Sequence, residues 1–138
     1  MVWENVLAKF KELFGDEGEI GVYFAPGRVN MIGEHTDYNA GHVFPCALTI
    51  GTYGVARKRE DKKLRFYSLN FEHLGVLESS VDDLKPEKEA DWTNYPKGIM
   101  WAFGEKGMKV EQGMDIVLFG NIPNVNLINV EEIKDKIN

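Results

Sequence analysis

The chain is short of several things, and each shortage narrows what it can be. A single cysteine, Cys46, leaves no intrachain disulfide, as in a reducing compartment. Basic residues are outnumbered 16 to 22, giving a net charge of -6. A protein that grips a phosphate backbone carries a basic face, so no nucleic-acid partner is expected. No run approaches the ~18 apolar residues that a membrane span needs. The opening residues MVWENVLAKFKELFG carry acids and no long apolar core, so they do not read as a signal peptide. No membrane partner and a cytoplasmic location are therefore expected. Internal repeats and low-complexity segments are lacking as well. Serine does not recur after Ser80, nor glycine after Gly120.

What is present suffices for one domain with a real core: 138 residues, 43% of them hydrophobic. Trp3, Val6, Leu7, Phe10 and Phe14 recur at three- and four-residue steps, which predicts an amphipathic helix stopped by Gly15. Ile20 to Ala25 alternates loosely, as a short strand does. Thr49 to Arg59 and Leu64 to Leu69 are rich in Val, Tyr, Thr and Phe; they read as two strands joined into a hairpin by Glu60-Asp61-Lys62-Lys63. His73 to Ser80 offers a further strand, and Asp83 to Asp91, with Pro86, an exposed connection. Asp91 is the expected N-cap of a second helix that tolerates Pro96 in its first turn and ends at Gly104 or Gly107. Tyr95, Ile99 and Phe103 give that helix an apolar stripe flanked by Trp92 and Met100, and Trp92 and Trp101 are expected in the core. Met114 to Phe119 is a short apolar strand, followed by a turn at Gly120 to Asn124. Helices mixed with antiparallel strands indicate an α+β domain.

The run from Ala25 to Leu48, APGRVNMIGEHTDYNAGHVFPCAL, follows neither a helix nor a strand period. It gathers Arg28, Glu34, His35 and Asp37 among Gly27, Gly33 and Gly41. Carboxylates accept from pairs of sugar hydroxyls through strong charged hydrogen bonds, and imidazole donates or accepts near neutral pH. Arginine supplies fixed positive charge beside a phosphoryl group in transit. Gly27 and Gly33 let the backbone bend and approach a ligand. A solvated polar surface would look similar, and Glu34, His35 and Asp37 also have a spacing that hints at a metal, although no second cluster completes such a site. Tyr38 is expected to pack under this loop, with contact to the edge of a ligand as the alternative, Cys46 to be buried between Pro45 and Ala47, and His42 to be an exposed spacer. His73 has no partner in the sequence.

The same run resembles the galactokinase signature, the first motif of the GHMP small-molecule kinases. The match comprises Gly27-Arg28-Val29-Asn30, then Ile32-Gly33-Glu34-His35-Thr36-Asp37-Tyr38-Asn39, then Gly41, Pro45 and Ala47. Asp91-Trp92-Thr93-Asn94-Tyr95-Pro96-Lys97-Gly98 and Gly120-Asn121-Ile122-Pro123 agree with it, so the resemblance covers residues 1–124 and leaves 125–138 as a tail outside the family pattern. It implies a mixed or antiparallel sheet with packed helices, as in the amino-terminal domain of GHMP kinases. It also implies transfer of the γ-phosphoryl group of ATP, with Mg2+, to the anomeric hydroxyl of α-D-galactose. Carried over, Glu34, His35 and Asp37 contact sugar hydroxyls, Asp37 gripping the pair that includes the axial one, and Arg28 lies beside the reacting hydroxyl.

After Gly-Asn-Ile-Pro the family continues into a Gly- and Ser-rich loop that holds the ATP phosphates. Here the chain reads Asn124-Val125-Asn126-Leu127-Ile128-Asn129-Val130, and Asp135 does not match the context of the family's catalytic aspartate. The expectation is half a sugar site, no nucleotide site and no useful turnover by the chain alone. Uncovered apolar surface at Ile116 to Phe119 or on the strand pair would favour self-association. Two other readings stay open: a non-catalytic galactose-binding, regulatory or complementing module, and a kinase for a related sugar such as N-acetylgalactosamine or arabinose.

Overall fold

The computed structural model describes residues 1–122, except for the side chains of residues 89–91. The end of the turn through Asn124 and the tail 125–138 lie outside the described residues; the N-cap position of the second helix is Thr93 and not the expected Asp91, because a 3₁₀ turn over Lys88–Thr93 precedes the helix. The elements in chain order are α1 (Val2–Phe14), β1 (Ile20–Asn30), β2 (Pro45–Lys58), β3 (Lys63–Ser68), β4 (Leu77–Ser80), α2 (Asn94–Glu105) and β5 (Met114–Gly120). The chain divides into two compact units. One is Met1–Ala25 with Thr52–Gly120; the other is Pro26–Gly51 with, among the described residues, Asn121 and Ile122.

The first unit is built on a mixed sheet in the order β1-β2-β5-β3-β4. β5 runs antiparallel to β2, with Val55 opposite Val117, and parallel to β3, with Phe66 opposite Ile116. β4 closes the far side antiparallel to β3. The architecture is the α+β, mixed-sheet arrangement that the sequence implies. The hairpin between β2 and β3 is not: β5 lies between them. The physical reason is that Ile116-Val117-Leu118-Phe119 is apolar on both faces. Such a strand belongs in the middle of a sheet, and order along the chain does not reveal the insertion.

Strand alternation sorts the core into two layers. Val55, Tyr67 and Val117 face α1, where Val6 and Phe10 are fully buried. Leu64 and Phe66 face the other way and meet Val81, Met100 of α2 and the half-buried Trp92. α1 ends where expected: Gly15 takes φ 79, and its N–H donates to Lys11 O. Burying the Phe10 ring is worth about 1.5–3 kcal/mol.

α2 departs from the expected orientation. It starts at Asn94, behind a short 3₁₀ turn at Lys88–Thr93. Its buried residues are Lys97 and Met100, whereas Tyr95, Ile99 and Phe103 are 80%, 60% and 47% exposed. Trp101, expected in the core, is 57% exposed. Apolar residues stand on nearly every side of this helix, so spacing alone does not say which side faces in. The inner side is filled by Met100 and the aliphatic stem of Lys97. Uncovered apolar surface therefore includes α2 and also β1, where Val22, Tyr23 and Phe24 are exposed, but not Ile116 to Phe119, where Val117 is buried and its neighbours are half-buried.

At the polar end of the α1 layer stands Asp115, with no solvent exposure. Its carboxylate accepts from Arg57 Nη2 at 2.9 Å, Arg59 Nη1 at 3.0 Å and Arg65 Nε at 2.6 Å. Burial pushes this carboxyl up, but the three guanidinium hydrogen bonds outweigh burial and hold it below its ordinary value. Arg57 also donates to Phe14 O at 2.7 Å and Glu17 O at 2.7 Å, which ties the last turn of α1 to the sheet. Arg57 lies over the Phe10 ring at 5.4 Å, and Arg65 over Phe14 at 4.5 Å.

Candidate functional site

The second unit contains all four predicted site residues. Arg28 is near the end of β1, and Glu34, His35 and Asp37 follow on the loop that returns to β2. All four are exposed. Among the described residues, the side chains of Arg28, Glu34 and Asp37 make no hydrogen bond or ion pair. A cavity of about 610 Å³ lined by Val81, Leu84, Pro86, Gly98 and Trp101 belongs to the first unit and includes none of them.

The loop is shaped by its own short polar side chains. Met31 N–H donates to Phe44 O at 2.9 Å, and Phe44 N–H to Ile32 O at 3.0 Å, which closes its base. Asn30 Nδ2 donates to Gly33 O at 3.2 Å. The Thr36 hydroxyl is shared between Gly33 O at 2.7 Å and His42 O at 2.9 Å. Asn39 Nδ2 donates to His35 O at 2.7 Å, and Gly41 N–H to Thr36 O at 2.7 Å. Gly33 needs to be glycine: its φ is +103, and a Cβ there would stand 2.6 Å from His42 O. His35 is itself left-handed, with φ 58. Ala40 shares this angle, with φ 59; the left-handed region is uncommon outside glycine, and here the loop's own hydrogen bonds flank both positions.

Tyr38 does not pack under the loop. It is 70% exposed, and its hydroxyl is hydrogen-bonded to His35 Nδ1, the two rings meeting edge to face at 5.8 Å. Cys46, expected to be buried, is exposed. It lies at the start of β2, before Thr52, where the pairing with β5 begins. His42 is exposed, and His73 sits in a 3₁₀ turn with its ring 6.4 Å from that of Phe71. Asn30, Thr36 and Asn39 were missed as loop-forming residues. Their signal was available, because Asn and Thr beside glycine in an aperiodic run fold back onto nearby backbone groups. Among the described residues no group of three or more His, Cys, Asp or Glu could hold a metal ion, and no helix is long and apolar enough to cross a membrane.

Residues 8–58 match the family described as the galactokinase galactose-binding signature. A galactokinase of Ligilactobacillus salivarius is 61% identical over 116 residues, which are 84% of this chain and 30% of that protein. A galactokinase of Bacillus subtilis is 53% identical over 121 residues, 88% of this chain and 31% of that one. The crystal structure of Lactococcus lactis galactokinase complexed with galactose superposes with a TM-score of 0.85 at 45% identity, covering 90% of this chain and 32% of that chain. The fold and the loop thus resemble the part of galactokinases that carries the galactose-binding signature. The chain carries a galactokinase galactose-binding signature at residues 8–58 and is similar, over most of its length, to the amino-terminal part of galactokinases. It spans about 30% of the length of the curated relatives that it matches.

Proposed function

We propose that this chain binds α-D-galactose through Arg28, Glu34, His35 and Asp37, as the amino-terminal part of a galactokinase that phosphorylates the anomeric hydroxyl. The observation that carries this reading is a self-bonded loop holding exposed, unneutralised charges. Glu34 and Asp37 spend none of their acceptor capacity on the described residues, so it is available to hydroxyl pairs. Asp37 takes the pair containing the axial hydroxyl. Arg28 presents permanent positive charge where a transferred phosphoryl group would develop charge. The resemblance to galactokinases supports ATP and Mg2+ for the intact enzyme and a cytoplasmic setting.

The residues that follow β5 do not fit the nucleotide phosphates. Residues 121–138 contain neither glycine nor serine, whereas an anion nest needs closely approaching backbone N–H groups. The chain by itself is thus a sugar-binding module rather than a phosphotransferase. Calorimetry with galactose and glucose tests the first half of this reading: galactose should bind better, and Asp37→Ala should abolish the preference. An assay for sugar 1-phosphate with ATP and Mg2+ tests the second. Turnover by the chain alone overturns the non-catalytic reading, and equal binding of the two sugars overturns the galactose site.

A further inference from the structure

We infer that Tyr38 is a positioning residue that fixes the tautomer of His35 and so makes this imidazole a hydrogen-bond donor to the sugar; the sugar arm rests on the galactose-binding reading above. A tyrosine that is 70% exposed is not held in place by burial. What defines its position is its hydroxyl on His35 Nδ1 and the edge-to-face contact of the two rings. The backbone on either side of His35 is pinned by Thr36 Oγ1 to Gly33 O and by Asn39 Nδ2 to His35 O. With the backbone held there, the ring's own contacts are the hydrogen bond to the phenol and the edge-to-face approach of the two rings.

A neutral imidazole has one donor and one acceptor nitrogen, and the bond made at one nitrogen decides the role of the other. The phenol is the natural donor of this pair, so Nδ1 accepts and the proton resides on Nε2. Among the described residues Nε2 has no hydrogen-bond partner. The chemical consequence lies in the neighbours. Glu34 and Asp37, when ionised, accept only. They take the protons of sugar hydroxyls and leave oxygen lone pairs facing a site in need of donors. An Nε2–H supplies one of them. The loop then reads a vicinal diol with a direction: a proton given to a carboxylate, and a lone pair received by His35. A His35 free to switch tautomer would present an acceptor among acceptors for part of the time.

The test uses the full chain labelled with 15N. Long-range proton–nitrogen correlation spectra distinguish the two tautomers for each of His35, His42 and His73, with peaks assigned from single His→Gln variants. The expected result is an Nε2–H tautomer for His35 in the unsubstituted chain, relaxing to a mixture in Tyr38→Phe while His42 and His73 stay unchanged. Galactose affinity in Tyr38→Phe should fall about three- to tenfold, the range of one neutral hydrogen bond, with the unfolding midpoint unchanged. An Nδ1–H tautomer in the unsubstituted chain, or a His35 signal that Tyr38→Phe does not move, overturns the inference while leaving the galactose reading intact. An unsubstituted chain that does not bind galactose overturns that reading, and the spectra still decide the role of Tyr38.

Discussion

Replacing Asp115 with asparagine should be among the most damaging single changes in the first unit. The carboxylate is fully buried and takes one hydrogen bond each from Arg57, Arg59 and Arg65, whose side chains are 14%, 22% and 25% exposed. The amide keeps the shape and removes the charge. One of its oxygens can still accept, but its NH2 group turns a donor toward at least one guanidinium. Deleting one partner of a buried ion pair costs about 3–5 kcal/mol, because the opposite charge stays behind without compensation. Against a typical domain stability of about 5–15 kcal/mol this is a large fraction. Urea denaturation followed by circular dichroism measures it, with Asp82→Ala in the exposed pair with Lys62 as a control that should leave the midpoint where it was. The pH dependence adds a signed test. The Asp115 carboxyl is held below its ordinary value in the fold, so its contribution is complete above the unfolded value of about 3.9 and is lost as pH falls through the folded one. The gap between the two proteins should be full from pH 7 to pH 5 and narrow below about pH 4. A loss under about 1 kcal/mol, or a gap that does not change down to pH 3, refutes the reasoning.

Further outcomes follow from other residues. Lys97→Met should leave stability unchanged or raise it, because Lys97 Nζ is buried without a hydrogen bond among the described residues and lies 3.9 Å from Glu87; a loss above about 1 kcal/mol in urea denaturation contradicts this. Phe10→Ala should cost about 3–5 kcal/mol by opening a cavity under α1, measured in the same way. Gly33→Ala should weaken galactose binding at least tenfold in calorimetry, on the order of the strain of a left-handed alanine, while the near-ultraviolet spectrum of the α1 core is preserved. Ile99→Lys combined with Phe103→Glu should reduce any self-association seen by sedimentation velocity without lowering the unfolding midpoint, because both side chains are largely in solvent.

Much of the fold was legible because its signals are local. The spacing of Val6, Phe10 and Phe14 with Gly15 gave α1 to within a residue. Pro26 and Gly27 concealed the second half of β1, since proline argues against a strand; β1 tolerates it at the edge of the sheet, where an N–H is dispensable. The place of β5 and the facing of α2 were not legible, because both depend on which surfaces compete for a shared interior. Of the candidate site, residue identities came from the run itself and their roles from family resemblance. The bond between Tyr38 and His35 was hidden because it depends on a left-handed residue that nothing in the sequence announces.

That backbone angle at His35 constrains what a mutagenesis library can teach. At φ 58 a β-branched side chain meets the neighbouring carbonyl, whereas asparagine and aspartate settle there readily. Randomising this codon therefore screens conformational tolerance and ring chemistry together, and valine or isoleucine would be lost for reasons unrelated to the ligand. Asparagine is the variant that keeps the two apart: it accepts the turn and removes the imidazole.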